Sequence, residues 1–202
     1  MLRLGVLASG RGSNLQALID AIEAGSLAAR LSIVISDNPH AQALERARRH
    51  GAQAVVIALE GERAAFEDRL VAALFAAGVD LVVLAGFMRL LGKRFLSRLP
   101  CPVMNIHPSL LPAFRGLRAQ QQALDYGVKV AGCTVHFVDE GMDTGPIILQ
   151  KAVPVKENDT EADLAARILA EEHQLLPAAV RLFAEGRLRL EGRKVRILPE
   201  KQ

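Results

Sequence analysis

What constrains this chain most is a set of short runs that are apolar almost throughout and leave no polar face. Residues 2–8, 31–35, 54–58 and 81–85 are such runs, the last reading Leu81-Val82-Val83-Leu84-Ala85. Between them lie stretches with helical spacing: residues 13–24, with Leu15, Leu18, Ile19 and Ile22 on one face, then 41–49, closed by Gly51, and 62–77. A strand that is apolar at successive positions must be covered on both faces, and the intervening helices supply the cover. That is the pattern of a parallel sheet in an α/β fold, with right-handed crossovers.

The rhythm changes after Gly86. A short helix is expected over 92–97, and a strand over 103–106 that stops at His107-Pro108. A Pro-rich loop covers 108–116, and a helix 117–126. Strands over 132–138 and 147–155 flank an acidic loop, 139–146. Asp159-Thr160-Glu161 then opens a long helix to about residue 185, with Thr160 as its N-cap. Short strands over 188–190 and 195–198, around Glu191-Gly192, read as a terminal hairpin. Neither a repeat nor a linker interrupts the 202 residues, so one domain is expected.

Half of the residues are apolar but only 4% are aromatic and none is tryptophan, so the core is expected to be aliphatic. No apolar run is long enough for a bilayer span, and the start, Met1-Leu2-Arg3-Leu4, lacks a signal-peptide cleavage site. A cytoplasmic protein that engages no membrane is the expectation. Cys101 and Cys133 have no metal-ligand spacing and read as small core hydrophobes, so neither a metal site nor a disulfide is expected. The formal charge is +3. Its one concentration is the tail 187–201, where Arg187, Arg189, Arg193, Lys194 and Arg196 crowd together. With no aromatic interleaved, a solvated hairpin explains that run better than a nucleic-acid footprint. A modest positive field suits small anionic substrates.

Three places carry chemistry. The first strand-to-helix turn, Ser9-Gly10-Arg11-Gly12-Ser13-Asn14, has glycines that admit close approach and a helix start whose N–H groups attract an anion. Ser13 or Asn14 is expected to cap that helix and to touch a phosphate; a capped turn alone is the plainer reading. A dinucleotide fingerprint lacks its third glycine, because Leu15 follows Asn14, and only Asp37 keeps that alternative open. The second place is Asn105-Ile106-His107-Pro108. Asn105 and His107 alternate along a strand end, so their side chains share a face, and Pro108 ends the strand there. Ligands of open α/β sheets bind beyond such ends. The third is the loop holding Asp143, which spacing alone reads as a solvated turn. His136 is equally readable as a satisfied sheet histidine or a catalytic one. Glu172 and His173 are expected on a helix surface, and His40 and His50 at the surface.

Asn105-Ile106-His107-Pro108-Ser109-Leu110-Leu111-Pro112, followed by Gly132-Cys133-Thr134-Val135-His136-Phe137-Val138 and Asp143-Thr144-Gly145-Pro146-Ile147-Ile148, resembles the folate-dependent formyltransferase superfamily. The segments Ser9-Gly10-Arg11-Gly12-Ser13-Asn14-Leu15-Gln16 and Leu84-Ala85-Gly86-Phe87-Met88-Arg89 resemble its members that act on glycinamide ribonucleotide. The likeness runs over nearly the whole chain. It implies a Rossmann-like, mostly parallel mixed sheet of seven strands with helices on both faces. A phosphate-binding half, about residues 1–100, and a folate-binding and catalytic half, about residues 101–202, are also implied.

The same resemblance implies transfer of a formyl group from 10-formyltetrahydrofolate to the amine of glycinamide ribonucleotide, in purine synthesis and without a metal. By motif, Asn105, His107 and Asp143 are the implied catalytic triad. Gly12, Ser13 and Asn14 are the phosphate turn, and Glu172 contacts the ribose hydroxyls. Met88, Arg89, Leu90 and Leu91 line the folate pocket, with Asn105 beside it and Arg63 near the folate tail. One departure is Ala119-Gln120-Gln121-Gln122, where many relatives carry a His. Monomer and homodimer are both open. Two other readings remain. One is a hydrolase of the same formyl-folate, whose relatives carry a second His where this chain has Pro108. The other is a non-catalytic nucleotide-binding module.

Overall fold

The computed structural model describes residues 1–200; of the basic tail, Lys201 lies outside the described residues. The fold is α/β. Seven strands form a mostly parallel mixed sheet in the order β3-β2-β1-β4-β5-β6-β7, and a separate two-stranded ribbon pairs β8 with β9. By its contacts the chain divides into two compact units, Met1–Asn105 and Ile106–Gln202.

The first unit alternates as the apolar runs require. Its elements are β1 (Leu2–Leu7), α1 (Ser13–Glu23), β2 (Ala29–Ser36), α2 (Gln42–Arg49), β3 (Gln53–Val56), α3 (Arg63–Ala76), β4 (Leu81–Leu84) and α4 (Lys93–Arg98), followed by β5 (Val103–His107), which straddles the boundary. Every pairing among β1 to β5 is parallel. Leu4, Val6 and Leu7 of β1, Ile33 to Ile35 of β2 and Leu81 to Val83 of β4 are wholly buried. Burial at consecutive positions means that both faces of these strands are covered, as a sheet between helices demands. Leu15 and Leu18 of α1, Leu44 of α2 and Phe66, Leu70 and Leu74 of α3 supply the cover.

The second unit continues with α5 (Ala119–Tyr126), β6 (Val130–Phe137), β7 (Ile147–Pro154), α6 (Glu161–Ala184), β8 (Leu188–Glu191) and β9 (Lys194–Ile197). Here β6 and β7 pair antiparallel. Ala123, Ala131, Cys133, Val153, Leu164 and Ile168 form its core, with Phe114 and Leu175 packed on the margin. Cys133 is wholly buried, and burial, reinforced by the nearby Glu172 and Glu171 carboxylates, pushes its thiol up to about 12. It is a core residue, as its isolation in the sequence suggests. No helix among the described residues is long and apolar enough to cross a membrane.

Helix starts show one success and one correction. Thr160 caps α6 as expected: its hydroxyl accepts the Asp163 amide at 3.2 Å, and the Asp163 carboxylate accepts the Thr160 amide at 2.9 Å. Neither Ser13 nor Asn14 caps α1. The N-cap is Gly12 at φ 69°, with no side-chain cap, because Ala43 lies so close that a Cβ at Gly12 would stand 2.8 Å from its methyl. The N-cap residue itself therefore gives the start of α1 no side-chain hydrogen bond.

The capping box gives a stability test. Thr160→Ala should lower the unfolding free energy by about 1 kcal/mol in urea titration, and Thr160→Ser should retain most of it. A wild-type midpoint for the alanine variant would show that α6 does not depend on this cap.

Candidate active site

The register places several loops at one end of the first unit. Ile35, Leu7, Leu84 and Asn105 stand side by side across β2, β1, β4 and β5. The turn of residues 9–14, Asp37, the segment after Gly86 and Asn105 therefore all leave the carboxyl edge of the strands. Ligands gather at this edge because loops and helix N-termini converge there.

The 88–91 segment is fastened at both ends. The Met88 amide donates to Ser9 Oγ at 2.9 Å, and the Arg89 guanidinium donates to Asp37 Oδ2 at 2.6 Å. Beyond the segment, the Gly92 amide donates to Glu67 Oε1 at 2.7 Å, and Arg63 Nε reaches the same oxygen at 2.8 Å. The Asp37 and Glu67 side chains are 3% and 4% exposed, so each is a buried anchor matched to a cation. Meanwhile Met88 and Leu90 stay 65% and 60% exposed. Apolar side chains held out on fixed backbone are suited to meet a ligand. Asp37, which keeps a dinucleotide reading open in the sequence, is instead committed to Arg89.

In the second unit, His107 ends β5 and is 5% exposed. Its Nε2 lies 2.9 Å from the Phe114 carbonyl oxygen, which can only accept, so Nε2 carries a proton. Nδ1 faces Asp143 Oδ2 at 3.4 Å. One hydroxyl of β6 ties down the Pro-rich loop that delivers Phe114. Thr134 Oγ1 donates to the Ser109 carbonyl at 2.6 Å and accepts from the Leu111 amide at 3.0 Å and from Gln150 at 2.9 Å.

Asp143 does not lie in a solvated turn. Its side chain is only 14% exposed and accepts the Gly116 amide at 2.8 Å. Its φ of 51° is left-handed, a region aspartate tolerates better than most residues. The loop that imposes this is compact. Asp139 Oδ1 accepts Thr144 Oγ1 at 2.6 Å and the Gly141 amide at 3.1 Å, and the Phe137 amide donates to the Pro146 carbonyl at 2.9 Å. A Cβ at Gly145 would overlap the Phe137 carbonyl oxygen, so only glycine fits there.

His136, left open by the sequence, stands on the other side of the same carboxylate, with Nε2 3.7 Å from Asp143 Oδ1. Its Nδ1 donates to the Phe137 carbonyl at 2.8 Å. The structure thus brings His107, Asp143 and His136 together, with Asn105 two residues before His107 on the same strand. Glu172 is a correction: it is 7% exposed within α6, near Cys133, not on a helix surface. His40 is exposed, while His50 is partly buried and pairs with Glu23 at 2.9 Å. The sequence missed Ser9, Glu67 and the Arg89 partnership of Asp37, since each contact spans 25 residues or more. No group of three or more side chains suited to a metal occurs among the described residues.

Burial pushes the His136 imidazole below its ordinary value, against the opposing pull of the Phe137 carbonyl, Asp143 and Asp139; His107 adds to the lowering. The unfolded chain therefore takes up this proton first as the pH falls. The associated stability is present above about pH 6.5 and shrinks as the pH drops towards the folded value. In urea titrations, the loss of stability from pH 7.5 to 5.5 should be smaller for His136→Asn than for wild type. Equal losses would place the acid sensitivity elsewhere.

Comparison with known proteins adds to this geometry. The family model described as Formyl transferase matches residues 2–180. The human trifunctional purine biosynthetic protein adenosine-3 is 47% identical over 190 residues, which cover 93% of this chain and 19% of that protein. The chain thus spans a fifth or less of the trifunctional relatives it matches. The phosphoribosylglycinamide formyltransferase of Escherichia coli (strain K12) is 42% identical over 187 residues, covering 92% of this chain and 88% of that one. The crystal structure of glycinamide ribonucleotide transformylase 1 from Symbiobacterium toebii superposes with a TM-score of 0.96 at 58% identity, over 98% of this chain and 95% of that one. On the length matched and these identities, the chain belongs to the formyl transferase family.

Proposed function

We propose that this chain transfers the formyl group of 10-formyltetrahydrofolate to the amine of glycinamide ribonucleotide, a step of purine synthesis in the cytoplasm. The observation that carries the reading is the carboxylate of Asp143 placed 3.4 Å from the ring of His107 at a strand end. Relatives named for this activity support it.

In this reading the nucleotide phosphate sits on the turn of Gly12, Ser13 and Asn14, where the N-terminal end of α1 favours an anion. Glu172 serves the ribose hydroxyls. The folate lies against Met88, Leu90 and Leu91, with Asn105 beside it and Arg63 near its tail. Arg89 contributes through its main chain, because its guanidinium is committed to Asp37.

The primary amine attacks the formyl carbon, forming a C–N bond and a tetrahedral intermediate with an oxyanion. The Asn105 amide and a His107 N–H donate to that oxygen. Collapse breaks the bond to the folate nitrogen, which receives the proton lost by the amine. His107 passes that proton directly, or Asp143 does so through water. For Nε2 of His107 to serve the substrate, the Phe114 carbonyl must give way to it. The donors are N–H groups, so the step needs no metal, and a chelator should leave turnover intact. The chain works as a monomer or a homodimer on small molecules, without nucleic acid.

The direct test is formyl transfer with glycinamide ribonucleotide beside a water-only control. Transfer should require the nucleotide; formate released at the same rate without it would favour the hydrolase. Asp143→Asn, which keeps the left-handed conformation accessible, should cut kcat about 100-fold or more while both substrates still bind. Unchanged turnover would remove Asp143 from the mechanism. Ser13→Asp should weaken nucleotide binding by charge repulsion and spare folate binding. Equal loss of both ligands would overturn the assignment of the phosphate turn.

A further inference from the structure

The basic residues of the terminal ribbon do not all make the same kind of contact. Arg187 pairs with Glu185 and Glu200 at 3.0 and 3.3 Å. Arg189 and Arg196 flank Glu191 at 3.5 and 3.4 Å. These charges are matched within or beside the ribbon. Arg193, in the tight turn between β8 and β9, instead donates from its guanidinium to the carbonyl oxygen of Thr144 at 2.5 Å, across 49 residues of sequence. β9 also packs beside β7, the strand that begins where the acidic loop ends.

Thr144 is tied on both sides of that loop. Its hydroxyl is tied inward to Asp139 at 2.6 Å, and its carbonyl is tied outward to Arg193. Gly145, the next residue, is pressed against the Phe137 carbonyl. Asp143, the residue before, is held at φ 51°, a left-handed conformation less populated than the right-handed ones even for aspartate. Gly141 lies on the other side, so without the outer tie this stretch has many other backbone conformations open to it. The family match ends at residue 180, and the ribbon lies beyond it.

We propose that Arg193 is a positioning residue for Asp143: the terminal ribbon latches the loop that carries the carboxylate and so sets its geometry against His107. The proposal rests on the catalytic reading of Asp143 given above. A two-stranded ribbon with a two-residue turn is a short, stiff arm, and a guanidinium donor makes a stronger hydrogen bond than a neutral one. The latch acts on the orientation of a reacting group, so its loss should appear in kcat. The phosphate turn belongs to other residues, so nucleotide KM should be spared.

The test compares Arg193→Ala, Arg193→Lys and Lys194→Ala in the full chain. Lys194→Ala removes the same unit charge one position away and is exposed. Arg193→Ala should lower kcat roughly tenfold, the size of one charge-assisted hydrogen bond, with nucleotide KM within about twofold of wild type. Arg193→Lys should recover part of the loss, having a donor but not the planar fork. Lys194→Ala should match wild type. Amide hydrogen exchange across residues 141–145 should quicken in Arg193→Ala only. Faster exchange without loss of kcat, loss of kcat without faster exchange, or equal effects from Lys194→Ala would each overturn the latch. If wild type transfers no formyl group, the functional reading falls, and the exchange experiment alone decides whether the ribbon holds the loop.

Discussion

The carboxylate of Asp143 accepts the Gly116 amide at 2.8 Å, stands 3.4 Å from Nδ1 of His107 and has Nε2 of His136 3.7 Å from its other oxygen. A carboxylate this enclosed is costly unless donors surround it. The arrangement is also mutual. Gly116 belongs to the Pro-rich loop, and Asp143 to the loop between β6 and β7, so one oxygen joins two segments that share no regular structure. Breaking a buried charge away from its partners leaves each of them exposed to the same penalty, which is why such a cluster acts as a unit. His107, the Pro-rich loop and the loop between β6 and β7 all meet at this one group.

The two imidazoles beside it are not equivalent. His107 has an oxygen at each ring nitrogen, the Phe114 carbonyl and the Asp143 carboxylate. His136 donates from Nδ1 to the Phe137 carbonyl, and burial holds it below its ordinary value against the opposing pull of Asp143. The two rings thus flank the same carboxylate in different surroundings. Environment rather than residue type assigns the parts, as it does for paired titratable groups generally.

Periodicity carried the fold well. Consecutive apolar positions identified β1, β2 and β4, helical spacing identified α1 and α3, and Pro108 marked the end of β5. The Thr160 cap was readable because its partner lies three residues away. What escaped the sequence was decided at long range. Ser13 and Asn14 look like better caps than glycine, but contact with Ala43 demands a residue without a side chain at the start of α1. Glu172 falls on a helix and reads as surface until α6 is docked. Asp143 looks like a turn residue because nothing nearby in sequence announces the Gly116 amide or the two imidazoles. The motif resemblance named Asp143, His107 and Asn105, whereas the anchors Asp37 and Glu67 carry no motif.

Those two anchors bear on how substitutions around the 88–91 segment should be read. Asp37 and Glu67 are nearly inaccessible carboxylates, and their charge is tolerable only because Arg89, Arg63 and the Gly92 amide face them. Removing Arg89 would therefore leave a buried carboxylate without its cation, a cost that has nothing to do with any ligand. A loss of activity at Arg89 would reflect the backbone it fixes before any contact it makes. Met88 and Leu90 are different: both are largely exposed, neither side chain is needed to hold the segment, and trimming either would remove apolar surface while leaving the anchors in place. Separating these two kinds of residue distinguishes the exposed apolar surface from the frame beneath it. Under the proposed folate reading, the exposed pair is the place to alter ligand preference, and the buried pair is the place where alteration unmakes the segment itself.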